Sequence, residues 1–165
     1  MSQAHALLNH IIRPVSLALG EPHLIHEEIL LSAATLRGFD PFAEDRDEGL
    51  GVFGISPTLH RQVWDEYLAF EPDKASQVRG FASQRQFLVN PDAELITNTQ
   101  YAAAVGISAL QWVRPSWPMP DDAPALSRLW ADLTHIQERR CIARFQKTLE
   151  KLCLQGTPDS LFHPA

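Results

Sequence analysis

Apolar side chains recur at helical spacing along most of the chain, which predicts an all-α domain. Leu7, Leu8, Ile11 and Ile12 place a first helix over residues 4–19, with Pro14 expected to break or kink it. A turn at Gly20-Glu21-Pro22 leads into a helix over 23–37, where Ile29, Leu30, Ala33, Ala34 and Leu36 predict burial on a wide face. Gly38 is placed to cap it and Pro41 to stop the chain from continuing it. Pro57 and Thr58 open a helix to about Phe70, with Leu59, Val63, Trp64, Tyr67 and Leu68 as its buried stripe. After a turn with an N-cap at Glu71-Pro72-Asp73, Ala75, Val78, Phe81 and Ala82 predict a helix over 74–88.

Asn90 and Pro91 are favoured N-cap and first-turn residues, and they start a long helix from Asp92 to about Trp112. Its Ala102, Ala103, Ala104 and Gly106 allow close helix contact, as a central helix needs; Gln100 and Tyr101 are candidates to face a groove, with Tyr101 as an ordinary half-buried core residue the equal alternative. Residues 114–124 hold four prolines in eleven positions, a rigid extended segment that crosses the surface. A final helix is predicted from Ala125 to Leu152 through Leu126, Leu129, Trp130, Leu133, Ile136, Phe145, Leu149 and Leu152. Residues 1–155 then form one domain, and 156–165 a polar tail.

Between the second and third helices lies an acidic stretch, with Glu44, Asp45, Asp47 and Glu48, followed by Gly49, Gly51 and Gly54. The glycines mark places where the backbone takes φ > 0 or where another segment comes close. The acidic stretch lacks the ligand spacing of a calcium loop and reads as solvated. His23-x-x-His26 with Glu27 and Glu28 lacks the order that puts two ligands and a base on one helix face, so surface histidines are expected and no metal or cofactor.

A chain of 165 residues with 45% hydrophobic and 21% charged residues can bury a core. Its net charge of −6 argues against nucleic-acid binding. The charge is uneven. Residues 126–152 carry six basic side chains (Arg128, Arg139, Arg140, Arg144, Lys147, Lys151) against three acids, hence +3, and leave −9 on the remainder. Such a dipole suits a solvated helix face or docking on a partner, with Arg139, Arg140 and Arg144 as candidate contacts. Trp117 in the proline-rich segment is another, with folding back on its own domain as the alternative.

Cys141 and Cys153, twelve residues apart on one helix, are about 18 Å apart at 1.5 Å per residue, too far to bridge. Free thiols fit folding in a reducing cytoplasm. The first twenty residues have no basic start, and Asn9, His10 and Arg13 interrupt their apolar run, so no secretory signal is expected. No run is long enough for a membrane span.

Gly38-Phe39-Asp40-Pro41 and Gly51-Val52-Phe53-Gly54-Ile55-Ser56-Pro57-Thr58 resemble two motifs of the lysozyme-like soluble lytic transglycosylases and goose-type lysozymes. In that family the first motif is Glu-Ser-Gly-Phe-Asn-Pro and the second Gly-Ala-x-Gly-Leu-Met-Gln-Ile-x-Pro. Further segments are similar, in order, to lysozyme-like proteins of tailed bacteriophages: Arg13-Pro14, Pro57 with His60, Val63-Trp64-Asp65-Glu66-Tyr67-Leu68, Leu95 to Ala102, and Arg114 to Pro120. The resemblance spans roughly residues 8 to 152.

It implies a lysozyme-like helical fold and, in active members, one Glu acting as acid and then base on peptidoglycan. Here that position is Leu36, or Arg37 if the register slips by one. The cleft Gln is replaced by Gly54, the Thr before His60 by Leu59, and the Asn-containing strip by Asp132 to Ile136. General acid–base catalysis contributes about 10²–10⁴-fold, and neither Leu nor Arg supplies it. Leu36, Phe53, Gly54 and Tyr101 would then line the remnant of a cleft. Glu27 and Glu28 lie over two helical turns, about 12 Å, before the family's position; Asp40 and Glu44 are the nearer alternatives, on the loop side. What the resemblance implies is a non-catalytic component of a virion, in the tail, baseplate or ejected set, made in the host cytoplasm. Its partners would be other virion proteins, in copies set by the particle. The alternatives are a muramidase using a non-standard acid and a peptidoglycan-binding module.

Overall fold

The computed structural model describes residues 2–20, 22–43, 49–136 and 138–155, and these are mostly helical. Among them the only ladder pairing is an isolated antiparallel bridge between Leu50 and Ile55. Glu44, the rest of the acidic stretch and the tail 156–165 lie outside the described residues.

Helix α1 (Gln3–Leu7) runs through a π turn (Leu8–Ile12) into α2 (Arg13–Ala18). A proline inside a helix clashes with the carbonyl four residues back and offers no N–H. The wide turn comes immediately before Pro14, so the chain stays helical where a break or kink was expected. Helix α3 (Leu24–Leu36) has nine of its thirteen residues buried, which leaves it no solvated face. It begins at His23, whose ring accepts the Ile25 N–H. It ends in a Schellman motif: Gly38 N–H bonds Thr35 O and Phe39 N–H bonds Ala34 O, with φ of 64° at Gly38 and 58° at Phe39.

After the glycine segment, Ser56 caps α4 (Pro57–Gln62) by accepting the Leu59 N–H. The chain continues through a π turn (Val63–Tyr67) and a 3₁₀ turn (Leu68–Phe70) to α5 (Pro72–Phe81). Two expected helices are each divided. The one over 74–88 breaks at Ala82–Ser83, where Ser83 caps α6 (Gln84–Val89) and its N–H goes to the buried Glu94 carboxylate. The long one divides at Asn98 into α7 (Pro91–Thr97) and α8 (Thr99–Trp112). The Asn98 amide donates to Phe81 O and to Glu94, while its carbonyl accepts the Tyr101 N–H. Helical spacing continues across both breaks, so only the side-chain capping shows them. Asn90 makes no side-chain cap bond with α7.

Helix α8 is the second buried helix, with every residue from Tyr101 to Gln111 inside. It crosses α3 where it has no side chain: a Cβ on Gly106 would lie 2.8 Å from Leu30 Cδ2. This is the close contact expected of the small-residue run. The predicted last helix is two, α9 (Ala123–Thr134) and α10 (Arg139–Gln155). His135 turns the chain at φ 60°, and α10 packs back across α3 and α9. Phe145 and Leu149 are its buried residues there. No helix among the described residues is long and apolar enough to cross a membrane.

Candidate functional site

Arg37 follows the last residue of α3 and is directed by the Schellman turn toward the glycine segment. There the chain makes a minimal hairpin: Leu50 and Ile55 exchange backbone bonds of 2.9 and 3.1 Å around Gly51-Val52-Phe53-Gly54. Each glycine has a different physical cause. A Cβ on Gly51, at φ 74°, would sit 1.8 Å from Leu95 O, so the hairpin tip lies backbone-to-backbone on α7. A Cβ on Gly49 would be 2.5 Å from Gly54 O, across the hairpin. At Gly54, φ 67°, the neighbour is Arg37 itself, 3.2 Å from where a Cβ would stand.

The guanidinium of Arg37 clamps this loop. Nε donates to Gly51 O at 2.8 Å, and one terminal nitrogen donates to Ala43 O at 2.6 Å and Gly49 O at 3.0 Å. Backbone carbonyls outside regular structure must find donors, and a planar fork can serve three at once. A side chain at position 54 would crowd this pose of Arg37, which would have to shift by a few tenths of an ångström to admit it.

Above the clamp is a cleft of about 270 Å³. Leu36, Arg37, Phe53 and Gly54 line it on one side; Trp130, Cys141, Arg144 and Phe145 line it on the other. The structure thus brings together three of the four predicted cleft residues with the sequence-register alternative Arg37, and adds Arg144 from the predicted partner-binding set. No carboxylate lines it among the described residues. Phe53 and Trp130 are 1% and 2% exposed, so their ring faces are closed to a ligand. Asp40 is exposed and absent from the lining; its Oδ1 accepts the Phe42 N–H in a local turn. Arg139 and Arg140 are exposed at the start of α10. Cys141 and Trp130 were not legible as cleft residues. Cys141 precedes Phe145 by one helical turn, but that spacing has meaning only once the chain is folded back at His135.

Tyr101 is a correction. It is fully buried and lies in a separate network rather than along a groove. His60 Nδ1 lies 2.8 Å from Asp92 Oδ1, its Nε2 lies 2.6 Å from the Tyr101 hydroxyl, and Trp64 Nε1 donates to the same hydroxyl at 2.9 Å. One arrangement satisfies every group: His60 donates from Nδ1 to Asp92, Tyr101 donates to Nε2, and Trp64 donates to Tyr101. Burial holds the His60 pKa down despite the Asp92 bond and pushes the Tyr101 hydroxyl up, so both stay neutral. With His60 and Tyr101 buried and Asp92 half-exposed at its edge, the network ties α4 and the following π turn to α7 and α8. Gln100, by contrast, is exposed and borders a second, open hollow beside Glu94 and Asn98.

Trp117 folds back on its own domain. Its indole donates to Leu110 O at 2.8 Å and its ring packs on His23 and His26, 4.7 and 5.5 Å between centroids. That places it away from the exposed contact the proline-rich segment suggested. The expectation of surface histidines is also overturned: His26 is fully buried, with Nδ1 3.0 Å from Ser16 Oγ. Burial, with His23 and Arg114 adding to it, lowers the His26 pKa to about 4. Glu27 pairs with Arg13 at 2.8 Å instead of joining the histidines. Among the described residues no group of three His, Cys, Asp or Glu is placed to hold a metal ion.

Comparison with family models, curated proteins and solved structures gave no significant match to this chain.

Proposed function

We propose that this chain is a non-catalytic, lysozyme-like helical module of a bacteriophage virion that acts by docking onto other virion proteins. One observation carries the reading. At Leu36, where the motif puts the proton donor, the cleft is lined by hydrocarbon, and at Arg37, the position if the register slips by one, a permanent cation is bonded to three loop carbonyls beside Gly54. Neither side chain can deliver and recover a proton, and the guanidinium is engaged with the glycine loop.

Size and surface point the same way. The cleft is about 270 Å³, at the small end of the roughly 300–1,000 Å³ of small-molecule sites, and little of the Phe53 and Trp130 rings is exposed for a sugar to stack on. The cleft is suited to one bulky apolar group beside a cation.

A turbidity assay on purified peptidoglycan tests the catalytic part. No clearing above buffer is expected from the full chain. Clearing that is abolished by Glu44→Gln or Asp40→Asn would replace this reading with that of a muramidase. Pelleting with sacculi above a serum-albumin control would favour glycan binding instead. Mass spectrometry of purified phage particles tests the location, and absence of the chain from them would remove the virion role.

A further inference from the structure

The exposed side of α10 carries charge in a line. Arg140, Arg144, Lys147 and Lys151 follow one another at four, three and four residues, and all four are exposed. They span about 16 Å of one helix face at 1.5 Å per residue. The opposite face, through Phe145 and Leu149, is buried against α3 and α9, so the cations cannot turn inward. Among the described residues none of the four makes an ion pair or a side-chain hydrogen bond. Glu150, on the same helix, is bonded by Gln146 at 3.0 Å. Arg144 belongs to two features at once, since it also forms the rim of the apolar cleft.

We propose that this continuous surface, the cleft and the basic line beside it, docks an acidic segment of a partner protein that inserts one bulky apolar side chain. The inference rests on the docking reading above and names the chemistry of the partner. Carboxylates would pair with the four cations, and Arg is able to grip them bidentately. The anchor would enter against Leu36, Ile136 and Cys141, the half-buried part of the cleft lining, where hydrocarbon is favoured and a phosphate is not. A nucleic acid fits less well. No exposed aromatic is interleaved with the four cations to stack on bases.

The test is fluorescence anisotropy on the full chain, with labelled Glu- and Asp-rich peptides of about ten residues, which extended reach about 33 Å. Each carries one central Leu, Met, Phe or Trp, and a matched set carries Ser there. A single-stranded oligonucleotide of equal charge is the competitor. At least one anchored peptide should bind saturably, more weakly as salt rises, and about tenfold more tightly than its Ser counterpart. The doubly reversed Arg144→Glu, Lys147→Glu chain, with far-UV circular dichroism unchanged, should lose about tenfold or more in affinity.

Binding by none of the peptides, equal binding of anchored and Ser peptides, no effect of charge reversal, or preference for the oligonucleotide would each overturn the proposal. If the peptides fail while peptidoglycan stays uncleared, this inference falls and the docking reading stands. Lysis of peptidoglycan would remove that reading whatever the peptides do.

Discussion

Replacing Arg37 by Met keeps the bulk of the aliphatic stem and removes the guanidinium from three carbonyls, those of Ala43, Gly49 and Gly51. Hydrogen bonds to a charged group contribute about 1.5–3 kcal/mol each, a gross loss of about 5–9 kcal/mol for three. Arg37 is half-buried, so water reaches part of the site and can serve some of the freed oxygens. A net loss of about 2–4 kcal/mol follows, which for a chain of this size lowers Tm by about 5–15 °C. Arg37→Lys should fall between, because an ammonium is a compact charge and cannot span the three acceptors. Arg37→Glu should be worse than Met, since it places a carboxylate against the same oxygens. For that reason it should not confer clearing of peptidoglycan either. Thermal melts followed by circular dichroism, with urea titration for ΔG, measure the series. If Arg37→Met melts within about 2 °C of the parent, or if Arg37→Glu melts normally and clears peptidoglycan, the clamp is not what holds this loop.

Three further outcomes follow from the packing. Tyr101→Phe removes the hydroxyl shared by His60 and Trp64 and leaves two buried groups without it, so urea titration should show a loss of about 2–4 kcal/mol; a change under about 0.5 kcal/mol would mean that the network is not formed in solution. His26, lowered to about 4 when folded and about 6.5 when unfolded, takes up its proton in the unfolded chain first, so stability should fall as pH drops from 6.5 toward 4, by up to about 3 kcal/mol. The His26→Leu chain should show a shallower fall over the same window, and parallel pH profiles would refute the assignment. Gly51→Ala puts a methyl group 1.8 Å from Leu95 O at φ 74° and should cost about 3 kcal/mol or more. Gly80→Ala, in α5 with nothing within 4 Å, should instead raise stability by about 0.5–1 kcal/mol, and equal melting temperatures for the two glycine variants would contradict both.

Helical spacing along the chain was enough to establish the all-α class and the burial of the helix ending before Gly38, because each depends on neighbours within a few residues; the small-residue run showed that α8 could be approached closely, while only the fold places Leu30 of α3 at Gly106. Helix boundaries inside the long periodic runs were not legible. Spacing continues unbroken through Ser83, Asn98 and His135, and what ends the helices is a buried Glu94 from another segment, an Asn98 amide held by Phe81, or a left-handed turn that sends α10 back over α3. The candidate site divides in the same way. That neither Leu36 nor Arg37 is a carboxylate is a property of the sequence. That Arg37 reaches three carbonyls of the glycine loop, that Tyr101 is sealed among His60 and Trp64, and that Cys141 and Arg144 close the cleft were decided by tertiary structure. Hydrogen bonding across more than ten residues depends on where the backbone returns to, and no local spacing carries that information.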